Sequence, residues 1–475
     1  MAEKETKHVS MGMAILTLLI VAAIMAVGLA VLKIDTMVTF ILSLLAVCII
    51  AICLGMKLDD LQEVILRGFR KFALIGMILI SVGMVVGTWM ISGIVPSIIY
   101  YGLQLFSPSS FLALGFIICC IVSFFTGSSY AALGTMGVAF MAIGYGMDIH
   151  PGLTAGMAVS GAVFGDKMSP FSDTTNMAPA AAGTDIFLHI KSMIYTVTPS
   201  FIISLILYFV LGLQYDTASE ESMASIENIV VTLDECFNIS PFLLIVPVFT
   251  IVLVAKKVPA MVALVIGALL GIAAALIAQP QFTFNEVVTA MSSGFTMEFE
   301  DEALSSLLNR GGISAMMSTF VYCVFALELG ELMFEMGVLS VILSKFSEKI
   351  LKPCNLIITT LFSCLLTVML TTSQYMAILL PGEVFRPSYD RAKVAPYVLS
   401  RTLEDGGTIF SFLVPWSAAA IYSTGVLNVP TLEYLPYAFL TLLCPVCAII
   451  CAFTGIGVFD SEDKKLLGKT RKPVA

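Results

Sequence analysis

Two stretches of this chain concentrate acids, hydroxyls, glycine and proline inside otherwise apolar sequence. The first reads GAVFGDKMSPFSDTTN over residues 161–176. Its carboxylates and hydroxyls are the oxygen ligands that hard cations favour, and its acids can also hold protons. Asp166 and Asp173 are seven residues apart, so an unbroken helix would set them on one face two turns apart. Pro170 lacks the amide that would bond to the Asp166 carbonyl, which frees that oxygen near the carboxylates. Ser169, Thr174, Thr175 and Asn176 add further polar groups around them. Lys167 is expected in an ion pair, with Asp166 or across helices, but one lysine cannot neutralise two aspartates. The surplus acid invites a cation. The second stretch reads SRTLEDGGT over 400–408, followed by Pro415-Trp416-Ser417. Glu404 and Asp405 are adjacent, so at most one is expected to face a shared site. Arg401 lies three residues before Glu404 and is expected to pair with it on one helical face; the alternative is a partner carboxylate brought by a small anion.

The elements that must position these residues follow from composition. Of 475 residues, 59% are hydrophobic and 12% charged, against about 45–50% and about 25% in soluble domains. Mean hydropathy is +1.00. A soluble chain could not hide that much apolar surface, so nucleic-acid binders, secreted disulfide scaffolds and cytosolic enzymes are excluded. The class is an all-α polytopic membrane protein whose constant partner is the lipid bilayer. Apolar runs long enough to cross about 30 Å of hydrocarbon fall at 12–32, 36–56, 72–95, 194–215, 240–255, 258–278, 311–336 and 433–455. The first is read as a retained helix and not as a leader. Regions 108–180 and 353–428 are apolar but broken, and interrupted backbone at membrane depth is tolerated only where protein buries it or a cavity adjoins it. Ten of the eleven cysteines lie in or beside apolar stretches and read as packing residues. The three histidines form no HExxH pattern and there is no GxxxxGK[ST] loop, so no transition metal, no cofactor, no catalytic residue and no direct use of ATP is expected.

The two broken regions resemble each other. At a shift of 245 residues, Thr126, Ser128, Tyr130, Ala132, Gly137, Phe140, Pro151, Gly161, Pro170 and Ser172 meet identical residues, ten matches in 47 positions. At a shift of 243, Arg67-Gly68 and Gly87 meet Arg310-Gly311 and Gly330. The chain is therefore expected to hold two repeats, 11–215 and 240–457, between a short segment 1–10, an acidic loop 216–239 and a basic tail 458–475. Each repeat is expected to supply five crossings, a re-entrant hairpin and a broken helix. The hairpin tips are Thr126-Gly127-Ser128-Ser129 and Thr371-Thr372-Ser373-Gln374, whose carbonyls and hydroxyls suit Na⁺. The aligned positions differ in charge, since Asp405 meets Ser160 and Ser411 meets Asp166. That asymmetry suits one acidic site better than two equal ones.

Orientation follows from Lys and Arg. Lys57 to Lys71, Lys256-Lys257, Lys345 to Lys352, Arg386 to Lys393 and the tail Lys464 to Lys472 mark cytoplasmic segments. The stretches 216–239 and 279–302 contain no Lys or Arg. Five crossings per repeat is an odd number, so the second repeat is expected to be inverted, with both termini cytoplasmic. The base-free stretches carry six and five acids; without these the formal charge of −9 becomes +2. The acidity is a property of the expected outer face.

The run GAVFGDKMSPFSDTTNMAP (161–179), with HIKSMIYTVTPS (189–200), LNRGGISAMMST (308–319) and LSRTLEDGGTIFSFLVPW (399–416), strongly resembles the NhaC family of Na⁺/H⁺ antiporters. The resemblance implies a secondary transporter of the cytoplasmic membrane with scaffold and moving transport domains, an elevator movement, and often a homodimer. Its motif residues fall on Asp166, Ser169, Asp173, Thr174 and Thr175, then on Arg401, Glu404, Asp405 and Gly406. The implied cargo is Na⁺ against H⁺, competing at intramembrane carboxylates. Similar proteins also exchange organic acids such as malate and lactate, or carry amino acids, and then Arg401 and Asn176 would contact a small carboxylate. The chain departs from the family pattern at Leu329-Gly330-Glu331, where a Gly-Gly pair is common, and at Ser417-Ala418-Ala419.

Overall fold

Most of the apolar runs become helices of the expected extent. The computed structural model describes residues 9–215, 229–256, 258–297, 308–309, 311–347 and 352–460. The first eight residues, the acids of 216–228 and 298–302, Lys257, Arg310, Lys349 and the basic tail from 461 lie outside the described residues. The first half runs α1 (Met11–Ala26), α2 (Thr36–Cys53), α3 (Leu58–Ile91), α4 (Ile94–Leu105), α5 (Pro108–Thr126), α6 (Ser129–Ala132), α7 (Val138–Gly146), α8 (Pro151–Met168), α9 (Asp173–Ala182) and α10 (Ile186–Gly212). After α11 (Ile229–Cys236) come α12 (Ile245–Ala255), α13 (Ala260–Ala278), α14 (Phe284–Ser293), α15 (Gly312–Glu335), α16 (Val338–Ser347), α17 (Pro353–Thr371), α18 (Gln374–Arg391), α19 (Pro396–Ser411), α20 (Ala418–Leu427), α21 (Thr431–Tyr434) and α22 (Phe439–Thr454). Among the described residues six helices are long and apolar enough to cross a bilayer, or eight if two bent pairs each count as one span.

Several elements depart from the expected runs. Helix α3 starts at Leu58, not at residue 72, because its charged first half finds partners on α15. Arg67 meets Glu335 at 2.7 Å and Lys71 meets Glu331 at 2.6 Å. Among the described residues, helices α1, α2, α4 and α20 are apolar but shorter than the six spans, although the runs 12–32 and 36–56 that become α1 and α2 are expected to cross.

The internal similarity reappears in the elements. Helices α5 and α17 begin at Pro108 and Pro353 and end at Thr126 and Thr371; α8 and α19 begin at Pro151 and Pro396; α9 and α20 begin at Asp173 and Ala418. All are 245 apart. The hairpin tips match as well. Gly127 (φ 66°) and Thr372 (φ 57°) both end a helix in the left-handed region, and Ser128 and Ser373 each cap the next helix, accepting from Ala131 N and Met376 N. Glycine adopts that conformation freely, whereas a β-branched threonine is strained there. The Thr372 carbonyl is held by the Ala418 amide at 3.0 Å. In each half a glycine lets the first hairpin arm approach the broken helix. A Cβ on Gly161 would lie 2.4 Å from Cys119 Cβ, and one on Gly406 would lie 2.6 Å from Cys364 Cβ. Close backbone approach at small residues is how membrane helices associate without a hydrophobic driving force.

The second hairpin tip also seats against α15. A Cβ on Gly330 would sit 2.1 Å from the Thr371 carbonyl oxygen, and backbone cannot yield as a flexible side chain can. Gly330→Ala is therefore expected to lower stability by about 1–3 kcal/mol and to reduce transport. Thermal unfolding in detergent, read with the flux assay below, checks this; a variant with unchanged melting would refute the tight seat.

Candidate functional site

The first broken helix is interrupted where proline and capping chemistry demand it. Helix α8 ends at Met168, residues 169–172 are non-helical, and Ser172 starts α9 by accepting from the Thr175 amide. The break carries Asp166 and Asp173 into different surroundings, so the single face expected of an unbroken helix does not form. Asp166 is buried, at 4% exposure, while Asp173 is exposed.

Asp166 is held by hydroxyls. Ser129 Oγ, from the first hairpin tip, donates to Oδ2 at 2.6 Å, and Ser172 Oγ donates to Oδ1 at 2.6 Å. The Ser172 and Thr174 hydroxyls are 3.0 Å apart. The Asp166 carbonyl that Pro170 leaves free is taken by Thr175 Oγ1 at 2.7 Å, which also reaches the Lys167 carbonyl at 3.1 Å. Hydrogen bonds to a charged group contribute about 1.5–3 kcal/mol each. They orient the carboxylate without neutralising it, and no described cation pairs with it. Asp166, Ser129, Ser172, Thr174 and Thr175 thus form one oxygen-rich cluster between a hairpin tip and a helix break.

Lys167 is committed elsewhere. It forms a fully buried ion pair with Asp405 of α19, the inter-helix partner and not the adjacent aspartate. Asp405 Oδ1 also accepts from Thr196 Oγ1 of α10 at 3.1 Å. Glu404 is fully buried too; its Oε1 accepts from Thr408 Oγ1 at 2.7 Å, and its Oε2 has no described partner. The expected Arg401–Glu404 pair is absent. Arg401 points instead to the end of α22, donating from Nη1 to the Gly457 carbonyl at 2.9 Å and to the Ser192 carbonyl at 3.5 Å. Carbonyls beyond a helix C-terminus attract a cation.

The other residues named from sequence have more local duties. Ser169 Oγ accepts from the Phe171 amide at 3.2 Å, bracing the break. Asn176 donates to the Pro170 and Ser172 carbonyls at 3.0 and 2.7 Å. Thr126 Oγ1 donates to the Ser123 carbonyl at 3.2 Å, and Gly127 packs against the Phe171 backbone, where a Cβ would lie 2.7 Å away. In the second tip, Thr371 Oγ1 bonds within its own helix to the Thr367 carbonyl at 2.7 Å, Ser373 is the cap described above, and Thr372 Oγ1 has no described partner.

Gln374 and Ser411 give the closest internal comparison. They align with Ser129 and Asp166, and they too touch, Ser411 Oγ donating to Gln374 Oε1 at 3.2 Å. Ser417, aligned with Ser172, donates to the Ser411 carbonyl. The same slot is built twice, once around a carboxylate and once around neutral groups.

Asp173 and Asn176 face an open cavity of about 640 Å³ that Lys71 and Tyr375 also line. Lys71 carries no local signal of a site in the sequence, and Tyr375 stands out there only as the internal match of Tyr130. Lys71 reads as a cytoplasmic loop charge, and its place in the wall depends on the α3–α15 packing. Ser172 and Thr408 are detectable in principle, as a helix cap and as an i,i+4 partner of Glu404.

A helical, multi-pass membrane protein with an un-neutralised carboxylate cluster where a hairpin meets a broken helix has the makings of an ion-coupled transporter. The sequence profile of the Na⁺/H⁺ antiporter family matches residues 6–175 and 161–456, and the chain belongs to that family. It is 36% identical to the Na⁺/H⁺ antiporter NhaC of Alkalihalophilus pseudofirmus, over 95% of this chain and 97% of that protein. It is 39% identical to the malate-2H⁺/Na⁺-lactate antiporter of Bacillus subtilis, over 86% of each chain. It is 30% identical to the arginine/ornithine antiporter ArcD of Halobacterium salinarum, over 97% of this chain and 95% of that one.

Proposed function

We propose that the protein exchanges Na⁺ for H⁺ across the cytoplasmic membrane, with both ions competing for Asp166. The observation that carries this reading is a buried carboxylate whose partners are all neutral oxygens, with the one nearby ammonium, Lys167, held by Asp405. A buried acid in that setting favours either a proton or a bound cation over the bare charge. Ser129, Ser172, Thr174 and Thr175 supply oxygens suited to Na⁺, and their hydroxyls accept as well as donate. Moving Na⁺ one way and H⁺ the other then requires only that the protein switch sides when one of them is bound. The 245-residue match of hairpins and broken helices supports two repeats in inverted orientation and an elevator movement. The Lys and Arg distribution supports cytoplasmic termini.

Organic-acid exchange is the second reading. A cavity of about 640 Å³ is far larger than one Na⁺ requires, and the Lys71 ammonium in its wall would serve a small carboxylate if it left its pair with Glu331. The 39% identical relative is named for malate and lactate.

Purified protein in proteoliposomes holding a pH dye separates the two. A Na⁺ jump is expected to move protons with no organic acid present, and malate, lactate or an amino acid on either side is expected to leave the rate unchanged. Proton movement that appears only when one of those compounds is added would replace the first reading by the second.

A further inference from the structure

Three glutamates of α15 lie on one face, at positions 328, 331 and 335, and that face packs against α3. The outer two are neutralised from α3. Arg67 holds Glu335, whose side chain is 30% exposed, and Lys71 holds Glu331, at 4%. The innermost, Glu328, is different. It is 7% exposed, about 10 Å along the helix from Glu335, and no described residue gives it a hydrogen bond or an ion pair.

The surroundings of Glu328 are poor in partners. A Cβ on Gly68 of α3 would come within 2.9 Å of the Glu328 Cα, so the two backbones are in close contact there. From α2 the nearest titratable group is Cys48. The bases of α3 on this face, Arg67 and Lys71, are the ones already paired. Helices α17 and α20, also packed on α15, contain no Asp, Glu, Lys, Arg or His. Glu286 of α14 belongs to the opposite end of α15, where Gly312 meets Gly294, and α16 carries Lys345.

A carboxylate in such a place has three ways to avoid a bare charge. Pairing with a base is not used. Binding Na⁺ needs several oxygen ligands, whereas no described side chain brings an oxygen to this carboxylate by a hydrogen bond, and the Cys48 thiol is a poor ligand for a hard cation. A proton needs neither space nor ligands. We propose that Glu328 is a proton-binding site in its own right, separate from the Asp166 cluster and reached along the α15 carboxylate stripe, and that its protonation adds to the pH dependence of transport that competition at Asp166 produces. In the neutral form the α3–α15 contact at Gly68 holds as it stands. Ionisation places an unpaired charge beside that contact and loosens it, so proton occupancy biases how the two helices pack. This goes beyond ion exchange at Asp166 and does not require it.

Dicyclohexylcarbodiimide, an apolar reagent that attacks protonated carboxyls, reads the site directly in the full-length protein. Peptide mass spectrometry is expected to find Glu328 labelled at acid pH, with the label falling as pH rises and unaffected by Na⁺, while Na⁺ protects Asp166. Absence of label on Glu328 from about pH 6 to 9, or a label that does not change with pH, would overturn the proposal. Glu328→Gln, a neutral isostere, is expected to shift the pH profile of transport by about half a unit or more; an unchanged profile in a folded variant would also overturn it. If Glu328→Gln does not fold, labelling of the wild-type protein decides alone. Because labelling needs no flux, it stands even if the transported species proves to be an organic acid.

Discussion

Asp166→Asn is expected to abolish Na⁺-driven proton movement in proteoliposomes, while the variant folds and inserts. This is the largest functional effect expected of any single substitution. Asparagine keeps the shape and still accepts the Ser129 or Ser172 hydroxyl, which lie at 2.6 Å from the carboxylate, but it neither binds a proton at accessible pH nor attracts Na⁺. Asp173→Asn provides the contrast. Asp173 is exposed on the cavity wall, so its loss is expected to weaken apparent Na⁺ affinity and to leave exchange running. The pH dependence has a defined sign. Protons compete for the same oxygens, so apparent Na⁺ affinity falls as pH drops, by up to tenfold per unit where Asp166 titrates, since one unit is about 1.4 kcal/mol. Full activity in Asp166→Asn would remove the basis of the proposed function.

The largest effect on stability is expected at Lys167. Lys167→Met leaves Asp405 as an unpaired charge in a fully buried position. Removing one partner of a buried pair costs about 3–5 kcal/mol, more than any surface pair of this protein can contribute. Arg67–Glu335, with side chains 38% and 30% exposed, is worth about 1 kcal/mol or less. The double substitution Lys167→Met with Asp405→Asn removes both charges and is expected to recover most of the loss, because pairs of this kind gain little over neutral groups. Melting temperatures of the two single variants and the double variant in detergent test this. A double variant no more stable than either single one would show that the pair is not what holds α8 against α19.

Much of the site is legible in the amino-acid sequence. Pro170 and Ser172 mark the break because one lacks an amide and the other caps a helix. Gly127 marks the first hairpin tip because glycine adopts positive φ freely. The second tip, with Thr372 at φ 57°, is found only by its alignment with the first, since threonine is a poor candidate for that conformation. Spans are legible where hydropathy is continuous and are missed where it is not. Helix α3 begins 14 residues before the expected residue 72, since its charges look like loop until α15 presents Glu331 and Glu335. Glu331 stands out in the sequence only as part of an atypical segment, and Glu328 beside it carries no signal of its own. That one is paired and the other is not depends on which α3 residue stands opposite.

The sequence by itself determined that this is a membrane protein of two related halves, where its helices break, and that more acid than base lies in those breaks. Those are properties of composition, period and backbone chemistry, and they need no partner. Tertiary structure decided which acids stay un-neutralised. Lys167 is bonded in sequence to Asp166, yet neighbours on a helix point about 100° apart, and Lys167 reaches Asp405, 238 positions away. Arg401 passes over Glu404 for the Gly457 carbonyl in the same way. An ion pair forms with whatever another helix brings within reach, and only the packed chain specifies that.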